Sequence, residues 1–115
     1  MIVHSFFKKI KFNDMKEQGR HRHISRLEKM LEAIERNFPG VNNPNQIKMK
    51  HLIWIDTYWF GKQKLSLATC KDYKASQWLL VKALGREQHW SKALGFENKG
   101  KGAGRKTIMA VIKKN

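Results

Sequence analysis

The residues of this chain whose types could do chemistry are five histidines, one cysteine, nine acids and a glycine-rich basic run. A histidine metal site on a helix needs two imidazoles four residues apart with an acid beside them. None of His4, His21, His23, His51 and His89 has that arrangement. His21 and His23 lie two apart at a helix start, a geometry suited to a solvated or phosphate-facing role rather than to one metal. The run GKGAGRKT resembles a phosphate loop only in composition. A loop opening at Gly100 requires glycine five positions on, followed by lysine and a hydroxyl residue, whereas Arg105 stands there and no hydrophobic strand precedes it. Cys70 has no base beside it, and the acids are helix pairs or isolated. Neither a catalytic set nor a metal or cofactor site is expected.

The chemistry that remains is cationic. In KLSLATCKDYKASQWLLVKALGR, Ser66 is placed to cap a helix that Gly85 stops. Cys70, Tyr73, Gln77, Leu80, Val81 and Leu84 share one arc of its wheel, which is the expected buried stripe. Lys71, Lys74, Trp78 and Lys82 form a second stripe, read as three cations around an exposed indole. A basic surface carrying an aromatic ring suits nucleic acid.

The composition points the same way. Lysine and arginine number 24 against 9 acids, a net charge of +15. That repels itself in the absence of a polyanion. Residues 1–40 carry +4 and residues 41–115 carry +11, so the field belongs to the C-terminal two-thirds. A membrane is the rival polyanion, but no apolar run approaches the roughly 18 residues of a span, and the basic helices also own core stripes. The first residues lack the apolar region of a secretory signal. The single cysteine offers no disulfide framework, which fits a reducing, cytoplasmic setting.

These residues must be positioned by helices. At 115 residues the length suits one domain with a modest core. Residues 1–20 form an arm in which Val3, Phe6, Phe7 and Ile10 recur at helical spacing; Asn13, Asp14 and Gly19 suggest breaks. Residues 21–96 form the domain. Its first helix spans HRHISRLEKMLEAIERN, with Ile24, Leu27, Met30, Leu31, Ile34 and Phe38 on one side and Glu32 and Arg36 in the favourable i,i+4 order. VNNPNQ connects it to KMKHLIWIDTYWFG, a helix apolar almost all round and therefore central, whose aromatics are assigned mostly to packing. The Ser66 helix follows, then a short turn in which Trp90, Leu94 and Phe96 close one end of the core. Residues 97–115 are a basic, Gly-rich linker and a last helix around Ile108, Met109, Val111 and Ile112, which packs back on the bundle or crosses to a partner. Apolar spacings of three and four, without hairpin signals, predict an all-α bundle of about four to five helices.

The stretch KHLIWIDTYWFGKQKLSLATCKDYKASQWLLVKALGR resembles the N-terminal core-binding, or SAM-like, domain of tyrosine recombinases and phage integrases. The resemblance rests on Lys48 and His51 before an apolar helix, on Leu65, Ser66 and Thr69 opening the next, and on Leu79, Leu80, Leu84 and Gly85 closing it. It covers about residues 20–95. It implies a small helical bundle that clamps one side of a duplex, with Ser66, Thr69 and Lys71 nearest the DNA and Lys74 following. Lys74, Gln77 and Trp78 stand where the family often has Leu, Leu and Arg. The chain has no counterpart of the family's catalytic domain or of its Arg, His and Tyr set, so no strand cutting or joining is expected of it. The resemblance implies an excised domain or a stand-alone protein that kept or repurposed the module.

The full set expected to meet DNA is Arg22, Arg26, Lys48, Lys50, His51, Lys64, Ser66, Thr69, Lys71, Lys74, Lys82, Arg86, Lys99, Lys101, Arg105 and Lys106. Lys71→Ala with Lys74→Ala is expected to weaken binding with little loss of folding. Two other readings compete with duplex DNA binding in recombination or mobile-element biology. One is an accessory protein contacting a recombinase or a second copy of itself. The other is single-stranded DNA or RNA binding through Trp78 and the basic stripes.

Overall fold

The computed structural model describes residues 3–12 and 15–96, which are helical with no strand among them. Helix α1, His4–Phe7, is a single turn. Helix α2, Glu17–Asn37, is the longest. Helix α3 runs without interruption through Met49–Trp54, a π turn at Ile55–Trp59 and Phe60–Lys62. Helix α4, Leu67–Ala83, and the short α5, Glu87–Trp90, complete the bundle. The expected small all-α bundle is therefore present. The C-terminal helix around Ile108, together with Lys99, Lys101, Arg105 and Lys106, lies outside the described residues.

Each helix contributes the stripe its sequence period presents. Leu27, Met30, Leu31 and Ile34 from α2, Leu52 and Ile55 from α3, and Leu80 and Val81 from α4 are nearly or fully enclosed. Burying each such side chain is favourable by about 1.5–3 kcal/mol. Phe6 and Ile10 of the arm enter the same cluster, as do Leu94 and Phe96 after α5. Trp54, Trp59 and Phe60 pack against or within it, whereas Tyr58 is half exposed.

Three stops share one construction. After α4, the Gly85 N–H donates to the Lys82 carbonyl and the Arg86 N–H to the Val81 carbonyl, with Gly85 at φ +72°. This is a Schellman closure, whose left-handed residue favours glycine. Gly95 repeats it after α5. After α3 the same pair of bonds runs from Lys64 to Gly61 and from Leu65 to Phe60, but the left-handed residue is Lys64, at φ +55°.

Two expectations differ from what is found. Helix α2 starts at Glu17, so Gly19 lies inside its first turn rather than at a break. A Cβ on Gly19 would stand 2.9 Å from Met15 Cγ, so glycine there lets the preceding chain fold closely over the helix. The buried face of α4 is also wider than the wheel indicates, since Ser76 and Leu79 are buried outside the expected arc. Helix α4 packs chiefly on α2, and the arm joins the cluster that encloses Leu79.

Candidate nucleic-acid interface

The candidate interface is built around α4 and the turn before it. Ser66 is the N-cap: its Oγ accepts from the Thr69 N–H at 3.1 Å and donates to Thr69 Oγ1 at 3.0 Å. The cap satisfies one of the amides that a helix leaves unpaired. Since Thr69 Oγ1 accepts from Ser66, its own hydroxyl hydrogen remains to donate outward. Lys64 and Lys71 are exposed on either side of this cap. The positive end of a helix dipole, two cations and a hydroxyl donor thus coincide, a combination that attracts phosphate.

At its far end α4 presents Lys82 and Arg86, both exposed. Lys82 Nζ lies 5.6 Å from the centroid of the Trp78 ring. Lys9 and Lys11 line an open groove with Lys82, Leu79 and Glu87. The arm's lysines were absent from the expected set, although their interruption of its apolar stripe was a visible signal.

Two members of the expected basic stripe face elsewhere. Lys74 Nζ donates to Asp56 Oδ2 at 2.6 Å and to Gln77 Oε1 at 2.7 Å, and lies 4.5 Å from the Phe96 ring centroid. Gln77 Nε2 closes the triangle on Asp56 Oδ1 at 3.0 Å. Lys74 thus joins α3 to α4 instead of facing solvent. The indole of Trp78 is not an exposed platform either; it is half-buried and packs on Phe96 with ring centroids 4.9 Å apart. The wheel put both residues on a second stripe turned away from the core, but Asp56 and Gln77 take up Lys74 and Phe96, after α5, covers Trp78.

The basic residues of α2 divide. Arg22 is exposed. Arg26 is half-buried, its guanidinium donating to Ser76 Oγ at 3.2 Å, while His23 Nδ1 is 2.8 Å from the same oxygen. The fully buried Ser76 hydroxyl is therefore a polar rivet between α2 and α4. The His23 pKa is lowered, first by burial and then by the Arg26 charge, with Asp72 opposing.

Lys48 and Lys50 flank the start of α3, both exposed, but His51 is buried. Its Nδ1 accepts from the Lys48 N–H at 2.9 Å, which places the proton of the neutral ring on Nε2, and the ring packs on Phe38. The Lys-x-x-His pattern thus ties off a helix start; the structure does not present His51 to a ligand. Burial lowers its pKa most, followed by the Lys50 and Lys48 charges.

Among the described residues there is no cluster of three or more His, Cys, Asp or Glu side chains able to hold a metal. No described helix is long and apolar enough to cross a membrane. The arrangement defines a class, a small basic helical bundle with a capped helix start flanked by cations. No protein-family model, curated protein or solved structure matches the chain.

Proposed function

We propose that the chain is a non-catalytic DNA-binding module of the integrase core-binding kind, which holds duplex DNA through phosphate contacts along α4 in a cytoplasmic setting. One observation carries this reading. Lys64, Lys71, Lys82 and Arg86 are exposed along α4 and its ends, and none forms an ion pair among the described residues. Exposed cations without acids to neutralise them, on a chain of net charge +15, are the electrostatic footprint of a polyanion partner. The Ser66 cap supports the same reading, because it leaves the Thr69 hydroxyl and the helix dipole facing outward beside Lys64 and Lys71.

Duplex binding measured by gel shift at two salt concentrations tests the proposal. Each phosphate contact adds about −0.9 to the slope of log affinity against log salt. Lys71→Ala with Lys82→Ala is expected to flatten that slope by roughly 1–2 and to weaken binding to all duplex sequences alike. Salt-independent binding, or no binding to any duplex, would remove the reading.

A further inference from the structure

A second surface lies on α3, where the aromatic residues were expected to be mainly core. The Tyr58 ring stacks on Trp54, with centroids 5.6 Å apart and planes inclined by 27°. Trp54 is held from behind by the edge of Phe38, whose centroid is 5.3 Å away at 89°. Tyr58 itself is 51% exposed, one of two large hydrophobic side chains in that condition among the described residues. Lys62 Nζ lies 6.0 Å from the Tyr58 centroid. Lys50 stands four residues before Trp54 on the same helix, hence on its face. The order Lys50, Trp54, Tyr58, Lys62 is a strip of about 18 Å by helical rise, with a cation at each end and stacked rings between.

The backbone beneath is unusual. Tyr58 lies in the π turn, closed by the Phe60 N–H on the Ile55 carbonyl. Thr57 Oγ1 also donates to the Ile53 carbonyl at 2.8 Å, so a side chain serves the mouth of the wide turn. Single π turns of this kind occur frequently at functional sites.

The charge around the strip selects its occupant. Residues 48–64 contain Lys48, Lys50, Lys62 and Lys64, all exposed, and Asp56 as their one acid. Asp56 is turned toward α4 by Lys74 and Gln77, so it does not neutralise the strip. An apolar protein partner would have to meet the unneutralised Lys62 over the ring and Lys50 at the other end of the strip. A single-stranded nucleic acid supplies both complements, a flat base for the ring and phosphates for the lysines.

From this geometry we infer that Tyr58, backed by Trp54, is a stacking site for an unpaired nucleobase of single-stranded nucleic acid, the base taking the place of the Lys62 ammonium over the ring while Lys62 and Lys50 turn to the phosphates. The site is built on α3 from Trp54, Tyr58, Lys50 and Lys62 and uses neither Trp78 nor the cations of the α4 surface. Its energetics are those of base–aromatic stacking, which tolerates any base, with the sugar–phosphate backbone held by the lysines. A double helix keeps its bases stacked on one another and does not offer this ring a free face.

Fluorescence anisotropy with labelled oligo-dT, oligo-rU and a duplex of equal length, at one salt concentration, tests the assignment. Tyr58→Ala and Tyr58→Leu are expected to weaken single-strand binding by about 5- to 150-fold while leaving duplex affinity and the circular-dichroism melt nearly unchanged. Tyr58→Phe, which keeps the ring, is expected to bind as the parent does. The tighter of the two single-strand arms then identifies the preferred strand. Failure of the parent chain to bind either single strand overturns the inference. So does an equal loss of single-strand and duplex binding, retention by Tyr58→Leu, or loss by Tyr58→Phe. A change of self-association on light scattering with unaltered single-strand affinity would make this face a protein contact instead.

Discussion

At the scale of single residues, Lys74 and Lys71 separate two roles that look alike in composition. Both lysines lie three residues apart on α4, yet one is bound to Asp56 and Gln77 and the other is exposed. Gln77 is fully buried, and its amide depends on both charged partners. Replacing Lys74 strands a carboxylate and an amide oxygen in a poorly hydrated position, which costs about 1–3 kcal/mol. Lys74→Ala is therefore expected to lower stability by that amount in a urea titration. Lys71→Ala is expected to stay within about 0.5 kcal/mol. The double substitution expected from the sequence to be benign for folding is therefore expected to cost stability through Lys74, and only its Lys71 half is expected to report cleanly on binding. The reason is not visible in the helical period. The period put Lys74 on the basic stripe, and whether a lysine there faces water or a carboxylate depends on Asp56, eighteen residues away in the chain.

At the scale of elements, the α3–α4 connection carries a local conflict. Lys64 occupies a left-handed backbone conformation that glycine holds at the equivalent stops after α4 and α5. The left-handed cost for a residue with a side chain is about 1–2 kcal/mol, partly offset because glycine loses more freedom on folding. Lys64→Gly is expected to raise stability by about 0.5–1 kcal/mol in a thermal melt, and to weaken duplex binding if the proposed phosphate role holds. A gain in stability with unchanged affinity would assign the cation no part in binding. The three closures also show what was legible locally. Gly85 marked the end of α4 in the sequence, whereas nothing in KQK signals a left-handed lysine. The π turn of α3 was equally hidden, because an apolar run reads as one helix whichever way its middle is wound.

For the whole molecule, one buried and one half-buried histidine couple stability to pH. His23 and His51 have pKa values lowered from the ordinary 6.5 by burial and by neighbouring cations. Between the lowered native values and 6.5 the unfolded chain binds more protons than the folded one, so stability rises with pH across that window. Their contribution is fully present above about pH 6.5 and is lost as pH falls through it toward the native values. Protonation of His51 would also set an N–H against the Lys48 N–H that it now accepts, opening the start of α3. Melting temperature is expected to fall as pH is lowered from 7 to 5, with the fall reduced in His51→Gln. A flat profile over that range would show that neither histidine is held neutral by the fold.

The sequence by itself determined the all-helical class, the centres of the three main helices, the Ser66 cap and the Gly85 stop. It also determined the excess of positive charge. All of these follow from short-range causes: apolar spacing, capping chemistry and composition act within a few residues. Tertiary structure alone decided which cations remain exposed. It drew Lys74 to Asp56 and Arg26 to Ser76, enclosed Trp78 with Phe96, buried His51 against Phe38, and left Tyr58 outside. Those outcomes depend on side chains that meet across helices, where burial and long-range pairing, rather than local period, set the environment of a charge or a ring.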